Sequence, residues 1–209
     1  MHRPNRGAVA TLVLSSFATV AGQGSLPAGW TIDGSGPQIT AIARTCDDAH
    51  GGRCSIRLSS DGAPGLGGVG PGFGALVQRV SAAEYAGYRV ALSGWLKTDD
   101  VEAAGLWLRT DAGTTVAAFD NMNDRPVTGT QPWTRYTLAV DVPKGASALA
   151  FGVRLTGRGR VWGDDLELTV VDEREVPSTD ILPQKEVWRT LGREPAPLAR
   201  RPVNLGFEK

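Results

Sequence analysis

Four segments decide the fold of this chain: GLWLRTDAG (105–113), AAFDNMNDRPVTGT (117–130), WTRYTLAVDVP (133–143) and AFGVRLTGRGRVWGDDLELTVV (150–171). Apolar and polar residues alternate in each of them, and turn residues such as Asn-Asp-Arg-Pro and Pro-Lys-Gly lie between strand-like runs. Alternation with a period of two indicates half-buried strands, and none of the segments has the 3.6-residue period of a helix. The pattern therefore predicts an all-β protein, a β-sandwich of antiparallel sheets.

Length and charge narrow the class of protein. The chain of 209 residues suits one domain with appendages. It carries 22 basic and 22 acidic residues and therefore no net charge. Because no basic field is available to attract a phosphate backbone, we expect no nucleic-acid partner.

Residues 1–24 have the features of a signal peptide. Arg3 and Arg6 precede a mostly apolar run over residues 8–21, and small residues follow at Gly22 and Gly24. The run is shorter than the ~20 residues of a spanning helix, so no membrane span is expected in the mature form. We expect a secreted or periplasmic protein; an uncleaved membrane anchor is the alternative.

The rest of the chain divides into two parts. Residues 25–171 contain the strand-like segments and are expected to form the sandwich. Residues 172–209 are rich in proline and charge, which predicts an extended C-terminal arm. The arm ends in NLGFE (204–208), where Leu205 and Phe207 alternate with polar or small residues as in a strand.

The cysteines, Cys46 and Cys54, flank a short loop that contains Gly51-Gly52. Such a turn between two strand-like runs places the pair close together, and an oxidising compartment then favours a disulfide. Free thiols and a metal site that includes His50 are the alternatives. The spacing matches no known zinc pattern.

Alternation also places Trp95, Trp107, Arg109 and Arg154 away from the core, on the outer face of one sheet. Large aromatic and cationic side chains are unexpected on an idle surface, and an exposed indole covers the apolar face of a sugar ring well. We expect these residues to help form a ligand surface. Alternatively, the C-terminal arm covers them.

A second group of candidate ligand-binding residues lies in the segment FDNMNDRPVTGT. Asp120, Asn121 and Arg125 carry the donors and acceptors that sugar hydroxyls need, and the Arg125 guanidinium can fork onto a carboxylate. The alternative is local: Asp120 and Asn121 cap a turn, and Arg125 pairs with Asp124 or another neighbour.

The run Phe119-Asp120-Asn121-Met122, together with Asp124-Arg125-Pro126 and Gly129-Thr130, resembles a module of bacterial secreted proteins. In those proteins the module lies beside hydrolase domains such as S41-type peptidases and erythromycin-esterase-like enzymes. The resemblance covers residues 26–171. It implies a galactose-binding-like jelly roll of two antiparallel sheets, a fold that many carbohydrate-binding modules share.

Modules of this type commonly begin with a strand like NLGFE that is followed by Pro-x-Gly-Trp. Here Pro27-Ala28-Gly29-Trp30 follows the signal segment, while NLGFE lies at the far end, so we expect NLGFE to fill the vacant sheet edge. The resemblance also implies a structural calcium held by Glu208 with Asp164 or Asp165. A dangling stub of a second module is the alternative for NLGFE.

Enzyme signatures are missing: the sequence has no Gly-x-Ser-x-Gly elbow, no His-Glu-x-x-His and no Walker loop. We therefore predict a secreted, non-catalytic module that binds carbohydrate or glycoconjugate weakly and needs no cofactor beyond the possible calcium. Its partner is a carbohydrate, or a hydrolase or other partner protein. The alternatives are a structural or protein-interaction domain without a sugar ligand and an undetected hydrolase.

Overall fold

A computed structural model describes residues 26–35, 40–62, 64, 70–181 and 197–209. The signal peptide predicted over residues 1–24 lies outside them. A 3-10 turn, Ala82–Glu84, follows β4, and the other regular elements are strands: β1 (Thr31–Gly34), β2 (Thr40–Thr45), β3 (Ser55–Asp61), β4 (Phe73–Ser81), β5 (Arg89–Ala112), β6 (Thr115–Asp120), β7 (Val127–Asp141), β8 (Ala148–Thr156) and β9 (Arg158–Val171). In the described ranges, no helix has the length and apolar character to cross a membrane.

The strands form two antiparallel layers that share β5. Sheet I has the order β1-β4-β8-β5-β6 and uses residues 103–112 of β5. Sheet II has the order β2-β3-β9-β5-β7 and uses residues 89–99 of β5 for its contact with β9. The all-β jelly-roll sandwich predicted from the sequence is confirmed.

The hydrophobic core fills the space between the two sheets. It is built from the inward positions of alternating strands, and its fully buried members include Ile42, Ile56, Leu58, Leu76, Leu92, Leu96, Leu106, Leu108, Leu138, Leu149 and Phe151. Trp30 closes one part of the core, with its ring centroid 5.8 Å from that of Phe151. The outer faces of both sheets lie outside this core.

The strand β5 changes sheet in its middle. Its pairing with β7 shifts register at three places between Leu96 and Ala104, and Asp100 adopts a positive φ of 47° there. The irregularity bends the strand out of sheet II and into sheet I. The prediction that Trp95 shares one sheet face with Trp107 is therefore wrong, because Trp95 precedes the bend and Trp107 follows it.

The described parts of the C-terminal arm contact strands of both sheets. The Thr179 amide N–H donates to the carbonyl of Ala139 on β7 (2.7 Å), and the Ile181 amide donates to the carbonyl of Phe119 on β6 (2.8 Å). Further along, Ala199 forms a parallel bridge with Val80 at the edge of β4. These contacts satisfy backbone groups that an open edge would leave unpaired.

The segment NLGFE packs into the sandwich, but it forms a turn and not a strand. Phe207 is fully buried in the core, 5.2 Å from the Trp30 ring centroid to centroid, and Leu205 is partly buried against the same cluster. Positive φ angles at Asn204 (52°) and Phe207 (54°) break the extended backbone that a strand requires. The segment therefore packs into the core of this domain and is not a solvent-exposed stub of a second module.

The cysteine pair forms the predicted disulfide, Cys46–Cys54. The bond closes the loop between β2 and β3. Cys54 is buried, whereas Cys46 is exposed. The loop is therefore anchored at its β3 end in the body of the domain.

We expect the substitution Phe207→Ala to lower the free energy of unfolding by about 3–5 kcal/mol, because it opens a cavity in the core. Val203→Ala removes an apolar side chain that is 47% exposed, and it serves as the control with little effect. Urea denaturation of the two variants measures the difference. Equal stability of Phe207→Ala and the parent protein would contradict the core position of Phe207.

Candidate functional site

The outer face of sheet I carries a cavity of about 330 Å³. Five strands and the turn after β6 contribute its lining, which combines aromatic, amide, carboxylate and guanidinium side chains: Asp33, Phe73, Ala75, Trp107, Arg109, Phe119, Asn121, Asn123, Arg154 and Thr156. Its volume lies in the range of small-molecule sites, ~300–1,000 Å³. We call this site the outer cavity.

The register of sheet I places small residues beside the large side chains of the outer cavity. Gly152 on β8 lies opposite Trp107 on β5, and Gly105 on β5 lies opposite Arg154 on β8. Ala75 flanks Arg154 on its other side. Ala75 places only a methyl group beside Arg154. The two glycines instead make room for the protein itself, because a Cβ at Gly105 would meet Met122 and one at Gly152 would meet the Leu76 carbonyl.

Trp107 and Phe119 supply the aromatic part of the outer cavity. Trp107 is only 7% exposed and packs with Ala75, Val77 and Ala150 in a small apolar cluster outside the main core, with Phe119 against it. The prediction that Trp107 faces away from the core is correct. Its Nε1–H is buried and has no acceptor among the described residues.

Two arginines of the outer cavity have different surroundings. Arg109 forms an ion pair with Asp111, with Nε 2.9 Å from Oδ1, and its guanidinium lies 5.9 Å from the Trp107 ring. Arg154 is 7% exposed; it donates to Thr156 Oγ1 (3.1 Å) and to Asn123 Oδ1 (2.5 Å). Burial lowers the pKa of Arg154, and the Asp120 carboxylate partly offsets this effect. The guanidinium remains a cation at neutral pH.

The ligand-binding residues predicted in and near the turn after β6 have different surroundings. Asp120 is fully buried, pairs with Arg125 and accepts the Met122 amide N–H (2.8 Å), so it is a structural residue. Arg125 also pairs with Asp124 (2.7 Å) and does not line the outer cavity. The local contacts expected for Asp120 and Arg125 are thus present, and the ligand-binding role of these two residues stays a prediction. Asn121 caps the turn through the Asn123 amide (3.1 Å) and lines the cavity as well.

Trp95 belongs to a separate aromatic group on the outer face of sheet II. The His50 ring stacks on it at 3.7 Å between centroids, and Trp133 lies 6.0 Å from His50. Asp48 joins the group by accepting the Trp133 indole N–H (3.1 Å). Trp95 therefore does not contribute to the outer cavity.

Sequence reasoning missed Phe119 and Asn123. In the register, Phe119 lies opposite Arg109, so the alternation that identified Arg109 would also have identified Phe119 once β6 was aligned. Asn123 lies three residues beyond the end of β6, in the turn. No sequence pattern distinguishes its amide from those of ordinary turn residues.

Two of the three acids proposed as calcium ligands, Asp164 and Glu208, accept backbone amides. Asp164 Oδ2 accepts the amides of His50 (2.9 Å) and Gly51 (3.1 Å), and Glu208 Oε1 accepts those of Arg53 (2.7 Å) and Cys54 (3.2 Å). Asp165 Oδ2 instead contacts the His50 ring at Nδ1 (3.0 Å).

The calcium site stays a prediction, because calcium also takes backbone carbonyl ligands. Within the described ranges, no group of three acidic, histidine or cysteine side chains is arranged to hold a metal ion. The amides of the disulfide-closed loop stabilise the carboxylates of Asp164 and Glu208 by hydrogen bonding.

Comparisons with known proteins give one curated relative. No family model matches the chain. The uncharacterized HTH-type transcriptional regulator YbfP of Bacillus subtilis (strain 168) is 37% identical over 183 residues, which are 87% of this chain and 57% of that protein. The chain thus spans little more than half the length of this relative.

Solved structures share the fold. A domain of the bacteriophage CBA120 tailspike protein 4 matches with a TM-score of 0.51 at 15% identity, over 69% of this chain and 20% of that one. The CBM22-1 xylan-binding domain of Paenibacillus barcinonensis Xyn10C matches at 0.47 and 16% identity, over 69% and 86%. TmCBM61, solved with β-1,4-galactotriose, matches at 0.45 and 16%, over 69% and 90%. Carbohydrate-binding modules are thus among the structural neighbours, and at these identities the likeness concerns the fold alone.

Glu208 makes the stability of the protein depend on pH. The amides of Arg53 and Cys54 hold the pKa of Glu208 below its ordinary value of 4.5. A lowered folded-state pKa contributes stability above the unfolded-state value, and this contribution is lost as the pH falls through the folded-state pKa. We expect Glu208→Gln to be less stable than the parent at pH 7 and equally stable well below pH 4.5.

Thermal unfolding of both proteins across this pH range measures the effect. Glu175→Gln, at an exposed position in the arm, is the control and should change stability at neither pH. A difference between Glu208→Gln and the parent that stays constant with pH would contradict the charged hydrogen bonds.

Proposed function

We propose that the chain is a non-catalytic module that binds carbohydrate in the outer cavity. The observation that carries the proposal is the meeting of Trp107 and Phe119 with Asn121, Asn123 and Arg154 around one concave surface. A sugar ring has an apolar C–H face and a rim of hydroxyls. Aromatic rings complement the first, and amide or guanidinium groups complement the second.

The arrangement of acids and histidine supports a role in binding. A glycosidase needs two carboxyl groups beside the scissile bond, whereas Asp33 is the one acid among the described residues of the cavity lining. His50 is held on the other outer face by Trp95 and Asp165. The described lining therefore does not supply the pair of carboxyl groups that a glycosidase uses.

A second candidate is a domain that binds a partner protein and no sugar. The low exposure of Trp107, 7%, favours it because little of the indole face is open to a ring. The 37% identity to a protein named as a transcriptional regulator is compatible with an effector-binding or a partner-binding role.

A glycan array with the protein lacking residues 1–24 tests the first candidate. We expect binding to a subset of glycans and a loss of at least about tenfold in affinity for Trp107→Ala, since stacking and burial are removed together. Asn121→Ala tests the cavity at a position outside the apolar cluster. Trp133→Ala, on sheet II, is the matched control and should bind as the parent does. An array without any bound glycan would favour the partner-binding candidate.

We also propose that the protein is exported and that residues 1–24 are removed. The disulfide supports this, since such bonds persist in oxidising compartments. A partner hydrolase, suggested by the resemblance to modules beside S41-type peptidases and erythromycin-esterase-like enzymes, belongs to the same proposal.

The intact mass of the exported chain should correspond to a start after the signal segment and should be lower by two hydrogens than that of the dithiol. The control is the same sample after reduction, which should regain the two hydrogens. Recovery of the uncleaved chain in the membrane fraction, or of two thiols that alkylate without reduction, would contradict the proposal.

A further inference from the structure

Arg154 is a buried cation without a carboxylate partner. Arg79 and Arg109, its neighbours on the outer face of sheet I, both contact Asp111. By contrast, the acceptors of Arg154 are the neutral oxygens of Asn123 and Thr156, and no acid of the described chain lies within ion-pair distance of it. A buried charge without a counter-charge is costly, so proteins rarely keep one without a reason.

The nearby acid is already engaged. Asp120 acts on Arg154 through space, but its two oxygens bind the Arg125 guanidinium and the Met122 amide. It faces the interior side of β6 and is fully buried. Asp120 therefore cannot close an ion pair with Arg154 without breaking the turn that follows β6.

The outer cavity has an excess of hydrogen-bond donors. Nε–H of Arg154 and Nε1–H of Trp107 are both buried and both lack an acceptor among the described residues. Each residue lines the cavity and is 93% buried, from an exposure of 7%. Unsatisfied buried donors bind strongly to an acceptor that arrives with the ligand, and an ionised acceptor binds them best.

We propose that the ligand is an acidic glycan and that Arg154 binds the carboxylate of a uronic acid unit in the outer cavity. This rests on the proposed carbohydrate-binding function and names the class of sugar. The planar guanidinium matches a carboxylate in shape and charge, and Ala75, opposite Arg154 on β4, places only a methyl group beside it. Trp107 then lies next to the sugar ring and contributes its N–H as a further donor.

A neutral sugar is the competing ligand, because arginine also donates to hydroxyls. An acidic sugar and a neutral sugar can differ in one chemical group, the carboxylate. Reduction of a uronic acid converts its carboxylate into a CH₂OH group and leaves the rest of the ring unchanged. An acidic oligosaccharide and its carboxyl-reduced form are therefore a matched pair of probes.

The experiment is isothermal titration of the protein with tetragalacturonate, tetramannuronate and glucuronate-substituted xylotetraose, each beside its carboxyl-reduced form. We expect at least one acidic probe to bind about tenfold or more tightly than its reduced partner, as for hydrogen bonds to charged groups. The preference should shrink as salt is added. This comparison uses the unaltered chain and does not depend on the folding of any variant.

Variants then assign the preference to Arg154. Arg154→Met should abolish it, and Arg154→Lys should keep part of it because the charge remains while the planar fork is lost. Arg57→Met is the matched control: it removes the same charge from a strand of sheet II and should leave the preference unchanged. A preference that survives Arg154→Met in a folded protein would overturn the assignment.

The outcomes separate the two proposals. Equal binding of acidic and reduced probes, or binding of neutral glycans alone, overturns the acidic ligand and leaves carbohydrate binding intact. Absence of binding to every probe here and to the whole glycan array overturns both.

Discussion

One strand, β5, connects both halves of the domain, and the rest of the structure depends on it. Its first half pairs with β7 and β9 in sheet II, and its second half pairs with β6 and β8 in sheet I. The bend near Asp100 decides which side chains face the core before and after it. Any change in that bend would move Trp107 and Arg109 relative to β8, and the outer cavity would change with them.

The two outer faces handle polar groups in different ways. On sheet II, the acids of the loop end are saturated: Asp164 and Glu208 accept two or more amide hydrogen bonds each, and Asp165 contacts His50. On sheet I, donors are left over at Trp107 and Arg154. A saturated face stabilises the fold, whereas a face with spare donors is suited to binding. This contrast locates the candidate site better than the aromatic content, which both faces share.

Alternation in the sequence was sufficient to predict the sandwich and the outward direction of Trp107, Arg109 and Arg154, because period two follows directly from strand geometry. It was not sufficient for Trp95, since a change of sheet inside a continuous strand leaves no trace in the pattern. The roles of Asp120 and Arg125 were equally hidden: turn-capping and ligand-binding residues have the same chemistry. Alternation also misled at Asn204–Phe207, where two positive φ angles produce a turn.

Because Phe207 lies far beyond the last strand in sequence, the core can be completed only after all the strands have been made. Strands β1 to β9 end at Val171, yet the core that they enclose includes a ring supplied from residue 207. The chain must therefore emerge for some 36 residues beyond its last strand, the difference between 207 and 171, before the interior can be filled. During synthesis the core between the two sheets therefore stays incomplete until residue 207 has been added.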